Sequence, residues 1–161
     1  MTANTRPAKL ARWHILLLTI SGGFLWITGA AWLLLHYFGQ IEGPFGPAPN
    51  PLLPWFLRGH GLALIPALLG LGGLFVVHFP KGWPHRRQRY VGLALGVLLG
   101  LLIVSGYLLY YVGGDAPRRW SSLVHWSLGL ATPLVFIWHY LGHTTDPPGR
   151  KRRTAANTAR G

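Results

Sequence analysis

HWSLGLATPLVFIWH, residues 125–139, decides the fold. Two histidines enclose thirteen residues with no ionisable side chain, in a span apolar enough to cross a bilayer. The same composition recurs along the chain. Trp13 to Ile41, Gly59 to Pro80, Tyr90 to Gly114 and Trp120 to Thr145 contain no Lys, Arg, Asp or Glu. Each meets the roughly 20 apolar residues that a transmembrane helix requires. The first is too long for the apolar core of a signal peptide. The sequence predicts an all-α, integral membrane four-helix bundle, with helices over 12–38, 54–79, 90–112 and 120–143.

The net charge of +12 is unevenly placed. Arg6, Lys9 and Arg12 precede the first helix, and Lys81, Arg86, Arg87 and Arg89 fill the link between the second and third. Arg150, Lys151, Arg152, Arg153 and Arg160 follow the fourth. The other side carries only Arg58, Arg118 and Arg119, offset by Glu42 and Asp115. This Lys/Arg bias assigns both termini and the middle link to the cytoplasm. Basic segments beside a bilayer attract anionic headgroups, so membrane lipid is the expected partner of this charge and nucleic acid is not. Trp13 and Trp83 fall at the basic edge and Trp55 and Trp120 at the opposite one, where indole rings prefer to lie. The chain has no Cys, which excludes cysteine-ligated iron–sulfur clusters and thioether-attached haem.

Three segments follow: a cytoplasmic N-terminal stretch over 1–11, a transmembrane domain over 12–145, and a basic, flexible tail over 146–161 without apolar periodicity. GQIEGPFGPAPNPLLP, residues 39–54, is too rich in Pro and Gly to continue a helix and reads as a loop or cap. GGDAP, residues 113–117, reads as a tight turn. Gly92, Gly96 and Gly100 form a ladder on one helix face, suited to close helix packing or to the approach of a planar cofactor.

Ionisable residues inside a membrane are costly and mark function, and here all of them are histidines. Proton relays add carboxylates, and hard cations take oxygen ligands. Neutral imidazoles without nearby charge suit a softer metal centre, of which haem iron is the commonest membrane case. With the termini inside, His36, His60 and His125 lie toward the outer face. His14, His78, His139 and His143 lie toward the inner one, with His85 in the link. Two depths imply two centres. His125 and His139 are separated by about 21 Å of helical rise and share a face to within about 40°. One helix would thus ligate two haems, one above the other. Gly129 lies on that face with room for a porphyrin edge, and Pro133 is expected to bend the helix between the sites.

RWH at 12–14 with TG at 28–29, GHG at 59–61, SG at 105–106, and HW-x-x-G followed by His139 together resemble the di-haem cytochrome b family. This is the cytochrome b-561 type, which includes the membrane subunits of formate dehydrogenase and NiFe hydrogenase and stand-alone bacterial di-haem cytochromes. The resemblance covers residues 12–143. It implies that His60 and His125 hold an outer haem b and His14 and His139 an inner one, with no ligand on the third helix, which contains no histidine. His78 is an alternate for His14, and His36 for His60. Arg58, Arg118 and Arg119 lie where outer haem propionates are expected, and Lys9, Arg12 and Arg86 where inner ones are; lipid-directed snorkelling is the plainer role for each. His85 and His143 read as interfacial, with His143 also placed for a quinone or a propionate.

The resemblance implies a multi-pass cytochrome of the bacterial cytoplasmic (inner) membrane. It would carry electrons between the quinone pool and a redox partner on the periplasmic side, of hydrogenase-like, dehydrogenase-like or multihaem cytochrome type. Without a soluble domain of its own, the chain reads as a subunit of a larger oxidoreductase, with the loop at 39–54 facing the partner. One alternative is a self-sufficient, quinone-coupled enzyme acting on a small oxidant or reductant such as superoxide. Another is a non-haem anchor or metal-ion carrier, for which three or more ligands at one depth would be expected.

Overall fold

A computed structural model describes residues 11–82 and 89–142, the side chains of 77–82 and 142 excepted. The segment 1–10, the link 83–88 and the tail lie outside the described residues. With them go the expectations for Arg6, Lys9, Trp83, His85, Arg86, Arg87 and His143, and for the tail's flexibility; the side chains of His78 and Lys81 are likewise outside.

Four helices run in sequence: α1 (Arg12–Phe38), α2 (Leu53–Gly82), α3 (Arg89–Tyr111) and α4 (Asp115–Gly142). Each is long and apolar enough to cross a membrane. At about 1.5 Å per residue, the 27 residues of α1 reach about 40 Å, beyond the roughly 30 Å of a hydrocarbon core. The chain is an integral membrane four-helix bundle.

Two pairs of side-chain contacts fix the direction of the helices. His14 on α1 faces Gly73 on α2, whereas Gly29 on α1 faces His60 on α2. Numbers rise along α1 as they fall along α2, so the two are antiparallel. Gly92 faces His139 and Gly106 faces His125, which makes α3 and α4 antiparallel in the same way. The bundle is therefore two helix hairpins, and α1 also touches α4.

Burial is inverted relative to a water-soluble bundle. Trp13, Ile20, Phe38, Leu69, Leu134 and Trp138 are among many large apolar side chains that face outward. The buried residues of α1 are His14, Ser21 and Thr28, spaced by seven so that they form one stripe along the helix. Ala63 and Ala67 of α2 and Ser105 of α3 are also buried. Small and polar groups between helices, with apolar groups outside, are what packing in hydrocarbon favours. Each buried hydroxyl is satisfied by a backbone carbonyl of its own helix: Ser21 donates to Leu17 at 2.6 Å, Thr28 to Phe24 at 2.7 Å and Ser105 to Leu102 at 3.2 Å.

The connection expected to be a loop or cap contains a β-hairpin. β1 (Ile41–Gly43) pairs antiparallel with β2 (Gly46–Ala48), Ile41 opposite Ala48. Pro44 pre-sets the backbone angle at the turn, and Gly46 has φ +109°, which favours glycine. Asn50 ties the return strand down. Its amide donates to the Gly39 carbonyl at 2.9 Å, and its oxygen accepts from Leu52 N–H at 3.0 Å. Phe45 stands fully exposed at the hairpin tip.

The start of α4 also differs from the expectation. The helix begins at Asp115 rather than near residue 120, because Pro117 is tolerated in a first turn, where its missing N–H costs nothing. Asp115 places a negative charge at the positive end of the helix. The turn shrinks to 112–114, where Gly114 has φ +87°. The helix runs unbroken through Pro133, and Thr132 donates to the Leu128 carbonyl at 2.8 Å beside it.

Candidate functional site

His60 rises from the first turns of α2 and His125 from the middle of α4. Their ring centroids stand 6.2 Å apart, with the ring planes at 76°. The two hairpins thus each send one imidazole to a common point. This is the pair expected at one depth.

Each ring is seated in the same way by its hairpin partner. His60 Nδ1 lies 3.1 Å from Thr28 Oγ1, and His125 Nδ1 lies 3.0 Å from Ser105 Oγ. The residue after each hydroxyl is glycine. A Cβ at Gly29 would lie 3.2 Å from His60 Cε1, and one at Gly106 would lie 3.2 Å from His125 Cε1. A side chain at either position would press on the ring, which would have to give by a few tenths of an ångström. The local sequences are LWITG at 25–29 and LIVSG at 102–106, a short repeat that sequence reasoning missed as a repeat. The TG and SG steps were visible; their partners across the hairpins were not.

With both Nδ1 atoms engaged, Nε2 is the nitrogen each ring has left for a ligand. Among the described residues, no group of three or more His, Cys, Asp or Glu comes together to hold a metal ion. Two imidazoles could hold a metal only if its remaining ligands came from elsewhere, and the glycine seats leave both rings flanked by backbone.

The second pair is arranged differently. His14, buried on α1, donates from Nε2 to the Gly70 carbonyl of α2 at 2.8 Å and packs on Gly73. A Cβ at Gly73 would lie 2.5 Å from its ring. In this arrangement His14 directs Nε2 to a carbonyl, so ligation through Nε2 requires the ring to leave it. His139 on α4 sits over Gly92 of α3, whose Cβ would lie 3.5 Å from Cε1. His78 lies in α2, its side chain outside the described residues.

His36 is exposed and stacks on Trp32 of its own helix, with centroids 4.7 Å apart, and meets Tyr37 edge-on. A Cβ at Gly129 would lie an ordinary 3.9 Å from Leu102, so the glycine faces α3 without being pressed by it. In the glycine ladder only Gly92 meets a neighbour; nothing lies within 4 Å of a Cβ at Gly96 or Gly100. Arg58 lies over the Trp55 ring at 5.0 Å, and Arg118 donates to the Leu109 carbonyl at 3.3 Å. Both, with Arg12 and Arg119, are exposed. Trp13, Trp55 and Trp120 face outward near helix ends.

Comparison with protein-family models, curated proteins and solved structures found no match.

Proposed function

We propose that this chain is a di-haem b-type membrane cytochrome of the cytochrome b-561 type, carrying electrons across the bilayer. The apposition of His60 and His125 carries the reading. Two imidazoles from different hairpins, 6.2 Å apart and each held at Nδ1, form a bis-histidine pair. When bound there, haem supplies one-electron exchange at its iron.

The chain's own residues supply the setting. Thr28 and Ser105 orient the ligand rings, and Gly29 and Gly106 admit them to the backbone. The apolar exterior keeps water from the pair and anchors it in lipid. His14 and His139, each packed on a glycine of the neighbouring helix, are the proposed ligands of a second haem, reached when His14 turns from the Gly70 carbonyl. Two haems at two depths link a redox partner on one face with the quinone pool at the other. In this reading the basic face is cytoplasmic and the β-hairpin lies outside, as the Lys/Arg bias supports, and the membrane is a bacterial inner membrane.

A reduced-minus-oxidised spectrum of protein purified from a haem-replete host, with haem counted per chain, tests this. Two b-type haems are expected. No b-type band would overturn the reading, and a single haem would confine it to the His60–His125 pair.

A further inference from the structure

Thr28 and Ser105 do more than fill space beside the histidines. A hydroxyl has one proton to donate and two lone pairs to accept with. Thr28 directs its proton at its own helix, 2.7 Å from the Phe24 carbonyl and 3.1 Å from that of Leu25. With that proton on the Phe24 carbonyl, its oxygen is left with lone pairs toward His60 Nδ1 at 3.1 Å, and the ring nitrogen is then the donor. Ser105 has the same two kinds of partner, the Leu102 carbonyl at 3.2 Å and His125 Nδ1 at 3.0 Å.

We infer that the Thr-Gly and Ser-Gly steps of LWITG and LIVSG are tautomer locks: they hold His60 and His125 protonated at Nδ1, leaving an unprotonated Nε2 lone pair on each ring before any metal arrives. A neutral imidazole free in solution divides its proton between the two nitrogens. Fixing that choice removes one cost of ligation, and the hydrogen bond at the far nitrogen also sets ring orientation and ligand basicity. The seat has two parts. The hydroxyl selects the nitrogen, and the glycine beside it, where a Cβ would come within 3.2 Å of the ring, lets the ring approach the hydroxyl. Thr28 and Ser105 are positioning residues, since they act through the histidines. His14 forms a contrast within the same molecule: its partner is a carbonyl at Nε2, so it rests in the opposite tautomer.

The tautomer assignment stands on the hydrogen bonds alone; its meaning for ligation rests on the haem reading. The full chain, labelled with ¹⁵N-histidine and purified metal-free in lipid nanodiscs, separates the two. Single His→Gln variants assign the signals. His60 and His125 are expected to show pyrrole-type Nδ1 and pyridine-type Nε2 resonances, and His14 the reverse. Thr28→Val and Ser105→Ala should each shift the corresponding ring toward a mixture, and Thr28→Ser should restore the lock. In haem titration, the Thr28→Val Ser105→Ala double variant should lose roughly tenfold or more in affinity at one site, within the 10–100-fold range of metal-ligand partners. Pyrrole-type Nε2 at His60 and His125 in the natural chain, or no change in the variants, overturns the lock. An intact lock in a chain that takes up no haem overturns the function and leaves the lock standing.

Discussion

The imidazoles of His60 and His125, one from each helix hairpin, meet edge-on with 6.2 Å between centroids. If one metal centre joins them, its loss is shared. His60→Ala and His125→Ala should each remove the same spectral component, and the double variant should remove no more than either single one, because residues acting as a unit are non-additive. His36→Ala should leave both components, since His36 stacks on Trp32 in its own helix. Haem per chain and the low-temperature spectrum read all four variants. Separate components lost in the two single variants would place these histidines in different centres.

The glycines differ in what a methyl group would meet, so alanine substitutions should rank. At Gly73 the Cβ would come within 2.5 Å of His14, whose ring is held by the Gly70 carbonyl and has little room to yield. Overpacking of this kind costs about 1–3 kcal/mol. Gly29→Ala and Gly106→Ala, at 3.2 Å, should cost less and act mainly on the ligand rings. Gly96→Ala and Gly100→Ala meet nothing and should be neutral or favourable, by up to about 1 kcal/mol from helix propensity. Thermal unfolding in one detergent gives the order. A Gly96 variant as damaging as the Gly73 variant would show that the glycine ladder packs against something other than α4.

The four spans were legible because an apolar run bounded by charges has little choice but to cross the membrane as a helix. The histidines were legible because those runs contain no Lys, Arg, Asp or Glu beside them. Which nitrogen each ring presents was not legible. That depends on Thr28 and Ser105, and a helical hydroxyl bonded to its own carbonyl has the same local sequence whether or not a histidine sits across from it. His14 shows the same gap: its spacing resembled that of a ligand, but the backbone of α2 at Gly70 engages the nitrogen a ligand would use. The β-hairpin escaped because three-residue strands around Pro44 and Gly46 carry no alternation to read.

His14 and His78 compete for the second centre. His14 is buried, and its seat on Gly73 matches the seats of the other histidines in kind. His14→Ala should therefore remove the second haem and leave the His60–His125 component intact, while His78→Ala should leave both. Haem per chain with redox titration of each variant decides. Loss of the second component only in the His78 variant would reassign the ligand and leave His14 as a helix-packing residue, fixed by its bond to Gly70.

Orientation rests on charge alone, and the chain suits a direct test because it has no Cys. A single cysteine at Phe45, fully exposed at the tip of the β-hairpin, should react with a membrane-impermeant maleimide in intact cells. The hairpin side carries Arg58, Arg118 and Arg119 against Glu42 and Asp115, whereas the basic residues crowd the other side. Short basic loops stay on the cytoplasmic side. A cysteine at Ala155 in the basic tail should react only after the cells are opened. Labelling in the reverse order would turn the bundle over, moving the His60–His125 pair to the cytoplasmic face and any redox partner of the hairpin with it.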